Sequence, residues 1–121
     1  MTPTRGDVYW IDLRDTADVS EWGLRPCVVI SSDFFNRALD TLIVIPLTGR
    51  IERALDAGCV AILQADVEGA PGLHADSVAL CHSPLTVPKH VLGDYIGRLQ
   101  ARPLSDIEVT VSFALALGPA R

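Results

Sequence analysis

Two apolar runs constrain this chain most, the CVVI of residues 27–30 and the LIVIPL of residues 42–47. Both are rich in β-branched residues and bounded by turn formers, so both read as buried strands. Pro26 opens the first run, and a strand that opens on proline begins at a turn. Arg25 therefore belongs to the loop mouth of a sheet, its charge beside an apolar wall. Thr48 closes the second run at the same kind of edge. An arginine and a hydroxyl brought to one mouth can grip a phosphate and stabilise charge that grows on it.

The rest of the chain is punctuated in the same way. Residues 8–13 read as a first strand with Trp10 as its large apolar anchor, and 14–24 as a polar loop ending in Gly23. Strands are expected at 26–32 and 41–47, with a helical turn over 33–39 capped by Asp33. After a polar loop at 49–58, strands at 59–63 and 77–81 flank a turn at Gly69, Ala70, Pro71 and Gly72. Residues 87–99 hold a helical turn after Pro88 and another strand. Near the C-terminus Ile107, Val109 and Val111 alternate like a strand. Ser105-x-x-Glu108, however, forms a capping box, and Leu104, Ile107, Val111, Ala114 and Leu115 fall on one helical face. The helix is the reading adopted, stopped by Gly118 and Pro119. Several short strands and one closing helix predict a small, strongly bent barrel.

At 121 residues with 49% hydrophobic content, the chain is expected to be one domain, residues 1–121, with a real core. No apolar stretch is long enough to cross a bilayer and no apolar signal region follows Met1, so the expected location is the cytoplasm. Cys27, Cys59 and Cys81 show no CxxC spacing and are expected to be reduced, buried and inert. His74, His82 and His90 form no zinc pattern, and no metal or cofactor is expected. The net charge of −5 opposes binding of nucleic acid by charge alone. Of the 10 basic side chains all but Lys89 are arginine, whose planar fork suits phosphate and base stacking. The expectation is a small, local phosphate site.

Several blocks together carry a family resemblance. They are RGDVYWIDL at 5–13, RPCVVISSD at 25–33, Asn36–Arg37, IVIPLT at 43–48, Asp76–Ser77–Val78 and Gly97–Arg98–Leu99. In this order they resemble the MazF/PemK toxins over nearly the whole chain. The resemblance implies a mainly β fold, an SH3-like barrel of the PemK/CcdB type with a C-terminal α-helix. It implies a metal-independent endoribonuclease that cleaves single-stranded RNA, chiefly mRNA, at short specific sequences. Attack by the ribose 2′-hydroxyl would leave a cyclic phosphate and a free 5′-hydroxyl. It further implies a homodimer neutralised by a cognate, MazE-like antitoxin, with no membrane involvement. The family's catalytic pair maps onto Arg25 and Thr48, and Glu21 stands in the loop where the family has a glutamate, one residue closer to the arginine than usual. Ser20, Trp22, Ser32, Asn36 and Arg50 complete the expected RNA contacts. Leu85 occupies a position where the family often has an arginine. Two other functions stay open: a toxin on the same barrel that inhibits a protein such as DNA gyrase, and a catalytically silent nucleic-acid-binding barrel.

Overall fold

Residues 2–15 and 23–118 are described by the computed structural model. The strands are β1 (Asp7–Asp12), β2 (Leu24–Val29), β3 (Thr41–Thr48), β4 (Cys59–Ile62), β5 (Val67–Glu68), β6 (Ser77–Leu80), β7 (Leu85–Pro88) and β8 (Leu92–Leu99). Two helices join them, α1 (Asp33–Ala38) and α2 (Ala101–Ala114). All pairings are antiparallel, in the order β4-β6-β3-β2-β1-β8-β5, with β7 also on β3. The sheet curls into a half-barrel, and the expected mainly β fold with a C-terminal helix is what forms.

The unbroken apolar runs have a direct cause. Successive strand residues face opposite sides, and both sides are covered here except at Ile43, which is exposed. Val28, Ile45 and Leu47 join one buried cluster with Ile62, Ile96 and Ile107, while Cys27, Val29, Leu42 and Val44 join a second with Ile11, Leu13 and Val87. α2 closes the first cluster through Ile107, with Leu104 and Val111 packed beside it. One edge of β3 is shared between two partners. Leu47 and Thr48 pair with Ala79 and Val78 of β6, whereas Thr41–Val44 pair with Pro88–Leu85 of β7.

Several local expectations are corrected. Ser32, not Asp33, caps α1: its hydroxyl accepts the Phe35 N–H at 3.3 Å, while Asp33 accepts the Arg5 N–H at 2.8 Å. α2 starts after Gln100, ahead of the capping box, because Pro103 lies in the first turn, where helical N–H groups have no intrahelical partner to lose. Ser105 and Glu108 are interior, and Glu108 instead pairs with Arg5 at 3.2 Å. The helix also stops before Gly118. Ala116 takes a left-handed φ of 55°, and Leu117 N–H reaches back to Ser112 O at 2.8 Å, a Schellman closure. Ala114 and Leu115 are consequently exposed rather than part of the buried face. Cys27 and Cys81 are buried as expected, but Cys59 is only half-buried.

Candidate functional site

Arg25 is the second residue of β2 and is half-buried. On one side its backbone pairs with Ile11 of β1. On the other, β2 and β3 register as Cys27↔Pro46, Val28↔Ile45 and Val29↔Val44. Continued two residues further, this register sets Arg25 opposite Thr48, on the same face of the sheet. On its opposite edge the same end of β3 pairs with β6, through Leu47↔Ala79 and Thr48↔Val78. The pair thus stands at a rim where the pairing of β2 with β3 gives out. The Arg25 charge is felt at the Cys27 thiol: burial pushes that thiol up to about 12, and the guanidinium partly opposes the rise. Arg25 and Cys27 accordingly share a face, as strand alternation requires.

An open cleft of about 290 Å³ lies against the same rim, lined by Trp10, Arg25, Leu47, Gly49, His74 and Ser77 among others. Trp10, Pro26 and Leu47 alternate to the face opposite Arg25, so the start of β2 is common to both sides. Trp10 and His74 pack ring against ring in a tilted arrangement, centroids 5.5 Å apart and planes at 35°. Trp10 is half-buried and His74 exposed. Neither was singled out from the sequence as a site residue. His74 sits in an irregular segment after Pro71–Gly72, and only the fold sets it beside Trp10.

The other expected site residues separate. Thr48 is not an open hydroxyl: it is 3% exposed, and its Oγ1 accepts the Arg50 N–H at 3.3 Å. That bond uses the oxygen as acceptor and leaves the hydroxyl proton for donation. Arg50 is exposed and pairs with Glu52 at 3.2 Å. Ser32 is exposed, but its hydroxyl is committed to the α1 cap. Asn36 as an RNA contact is corrected outright. It is 0% exposed, its amide Nδ2 donates to Ser31 O at 3.0 Å, and its Oδ1 accepts the Ser31 hydroxyl. Glu21, Ser20 and Trp22 lie outside the described residues. Among the described residues no three His, Cys, Asp or Glu side chains converge as metal ligands, and no helix is long and apolar enough to cross a membrane.

Comparison with known families places this geometry. Residues 4–115 match the family of PemK-like, MazF-like toxins of type II toxin-antitoxin systems. The chain belongs to that family. Endoribonuclease EndoA of Bacillus subtilis is 33% identical over 117 residues, covering 97% of both chains. Endoribonuclease MazF of Staphylococcus saprophyticus is 31% identical over 113 residues, covering 93% of this chain and 91% of its own. Among solved structures, a mycobacterial endoribonuclease superposes with a TM-score of 0.77 at 23% identity, covering 99% of this chain and 97% of that one. A mycobacterial endoribonuclease in complex with its cognate antitoxin gives 0.74 at 24% identity, covering 98% of each. At such identities these structures speak for the shared toxin fold, while the family match and the curated relatives carry the membership.

Proposed function

We propose that this protein is the toxin of a toxin–antitoxin pair and an endoribonuclease that cuts single-stranded RNA without a metal. The observation that carries the reading is Arg25 on the lining of an open cleft, at the level of the buried Thr48 when the β2–β3 register is continued, in a chain of this toxin family. The nucleophile is the substrate's own 2′-hydroxyl. Its oxygen forms the new bond to phosphorus as the bond from phosphorus to the 5′-oxygen breaks. One proton leaves the 2′-oxygen and one reaches the 5′-oxygen, giving a cyclic phosphate and a free 5′-hydroxyl. DNA lacks the 2′-hydroxyl and is not a substrate.

The Arg25 guanidinium stabilises the extra negative charge on the phosphorane. Thr48 lies in the floor and donates its hydroxyl proton to a phosphate that Arg25 presses against the rim. Arg50 adds a peripheral phosphate contact. The general base is assigned to Glu21, and Ser20 and Trp22 to RNA contacts in the same segment. The acidic net charge supports a site of few phosphate contacts.

The partner is a MazE-like antitoxin whose acidic, disordered segment competes with RNA for Arg25. The toxin works as a cytoplasmic homodimer. Phe35 and Leu39 border an apolar groove between α1 and β3, and Phe34 (67% exposed) packs edge-on against Phe35, surface that a second copy would cover.

The test is incubation of the purified protein with matched RNA and DNA oligonucleotides in a metal chelator. Cleavage of RNA alone, with cyclic phosphate and 5′-hydroxyl ends, is expected. Intact RNA, or products with 5′-phosphate ends, would overturn the assignment.

A further inference from the structure

We infer that His74, backed by Trp10, is a stacking platform for a nucleobase next to the phosphate held at Arg25, and so helps to decide which RNA sequence is cut. The inference rests on the ribonuclease reading above and extends it from the phosphate to the base.

The two rings are already in tilted contact, 5.5 Å between centroids with planes 35° apart. Trp10 occupies one side of the imidazole, and the exposure of His74 leaves the rest of the ring to solvent within the cleft. A base laid there packs on the imidazole as a third ring. Single-stranded RNA presents unstacked bases for this kind of contact.

The platform is also held in place. Trp10 lies on β1, its backbone opposite Pro26, and packs in part against the first buried cluster. The segment that carries His74 is tied down on both sides. Leu73 is 5% exposed, and its carbonyl accepts from Gln64 Nε2 at 3.2 Å. Asp76 Oδ1 accepts the Gln64 N–H at 2.8 Å, the Ser77 hydroxyl donates to Ala75 O at 3.1 Å, and the Gly72 N–H donates to Ile96 O at 2.8 Å. An exposed ring between anchored neighbours needs little ordering on binding, so more of the stacking energy is retained.

Arg25 links this cleft to the phosphate. It lines the cleft with Trp10 and His74, while its alternation in β2 places it on the face of Thr48. A nucleotide draped over the rim therefore sets its phosphate on one side and its base on the other.

The experiment uses an oligoribonucleotide with one mapped cleavage site and a series in which each nucleotide flanking that site is made abasic. On intact RNA, His74→Ala is expected to lower kcat/KM about 5- to 150-fold, mostly through KM, and His74→Tyr to keep most of the activity. On the substrate lacking the contacted base, wild type and His74→Ala should cleave at equal rates, an interaction that a merely structural role would not produce. An unchanged kcat/KM for His74→Ala, or the same penalty on every abasic substrate, overturns the platform. Arg25→Ala is assayed alongside. If it is inactive while His74→Ala is unaffected, only the platform fails; if it cleaves normally, or wild type does not cleave, the ribonuclease reading fails as well.

Discussion

Replacing Asn36 with alanine separates a packing role from an RNA-binding one. The side chain is 0% exposed and ties the start of α1 to Ser31, whose hydroxyl in turn accepts the Ile43 N–H at 3.0 Å. Alanine removes the Nδ2 bond to Ser31 O (3.0 Å) and the acceptor of the Ser31 hydroxyl. The hydroxyl can rotate to another partner, but the partly buried carbonyl of Ser31 is left without its donor, which costs about 1–3 kcal/mol. The second lost bond adds about 1 kcal/mol, so the expected destabilisation is about 2–4 kcal/mol. At this chain length 1 kcal/mol moves the melting temperature by about 4 °C, giving a fall of about 8–16 °C. Thermal and urea unfolding read the stability, and RNA cleavage well below the transition reads the function. Lower stability with near-normal kcat/KM is expected. An unchanged melting temperature with a tenfold or greater loss of cleavage would refute the reasoning and return Asn36 to the RNA-binding set.

Other outcomes follow from the same coordinates. Ala116→Gly should stabilise the protein by about 1 kcal/mol, since φ of 55° is strained for alanine and easy for glycine; an unchanged or lower urea midpoint would contradict the Schellman closure. Burial holds the Cys27 and Cys81 thiols up at about 12 in the folded state, against 9.0 as the ordinary value. The unfolded chain therefore loses these protons first, and stability should fall as pH rises from about 9 towards 12. The urea midpoint should decline less steeply over that range in a Cys27→Ala/Cys81→Ala variant, and equal slopes would count against the burial argument.

Much of the fold is legible in the sequence because the strands that build the rim advertise themselves. β2 and β3 carry long apolar runs because nearly all of each is buried, Ile43 excepted; β2 begins at Leu24, two residues before Pro26, so Arg25 lies in the strand and not in the loop ahead of it. β5 is too short, at two residues, to leave a pattern. β7 is hidden because Pro84 and Pro88 make its stretch look like a loop, yet Pro88 is the last residue of a strand that pairs with β3. The helix begins after Gln100, five residues ahead of the capping box at Ser105, a valid local signal that tertiary contacts override: Pro103 is buried against the body, and Glu108 reaches Arg5.

The site divides in the same manner. Arg25 and Thr48 can be found from sequence because both sit at strand ends whose register follows from the two runs. The burial of Thr48 and Asn36 cannot, because it depends on what the curled sheet and α1 bring over them. The Trp10–His74 contact joins residues 64 positions apart across the half-barrel, and no local pattern announces it.

The central claim is that the Arg25 guanidinium stabilises the transition state of RNA cleavage. It is tested most directly by single-turnover cleavage of one RNA oligonucleotide by wild type and by Arg25→Ala of matched circular dichroism and urea midpoint. Loss of one such electrostatic donor predicts a rate lower by roughly two to three orders of magnitude. A folded Arg25→Ala protein that cleaves at the wild-type rate would contradict the account.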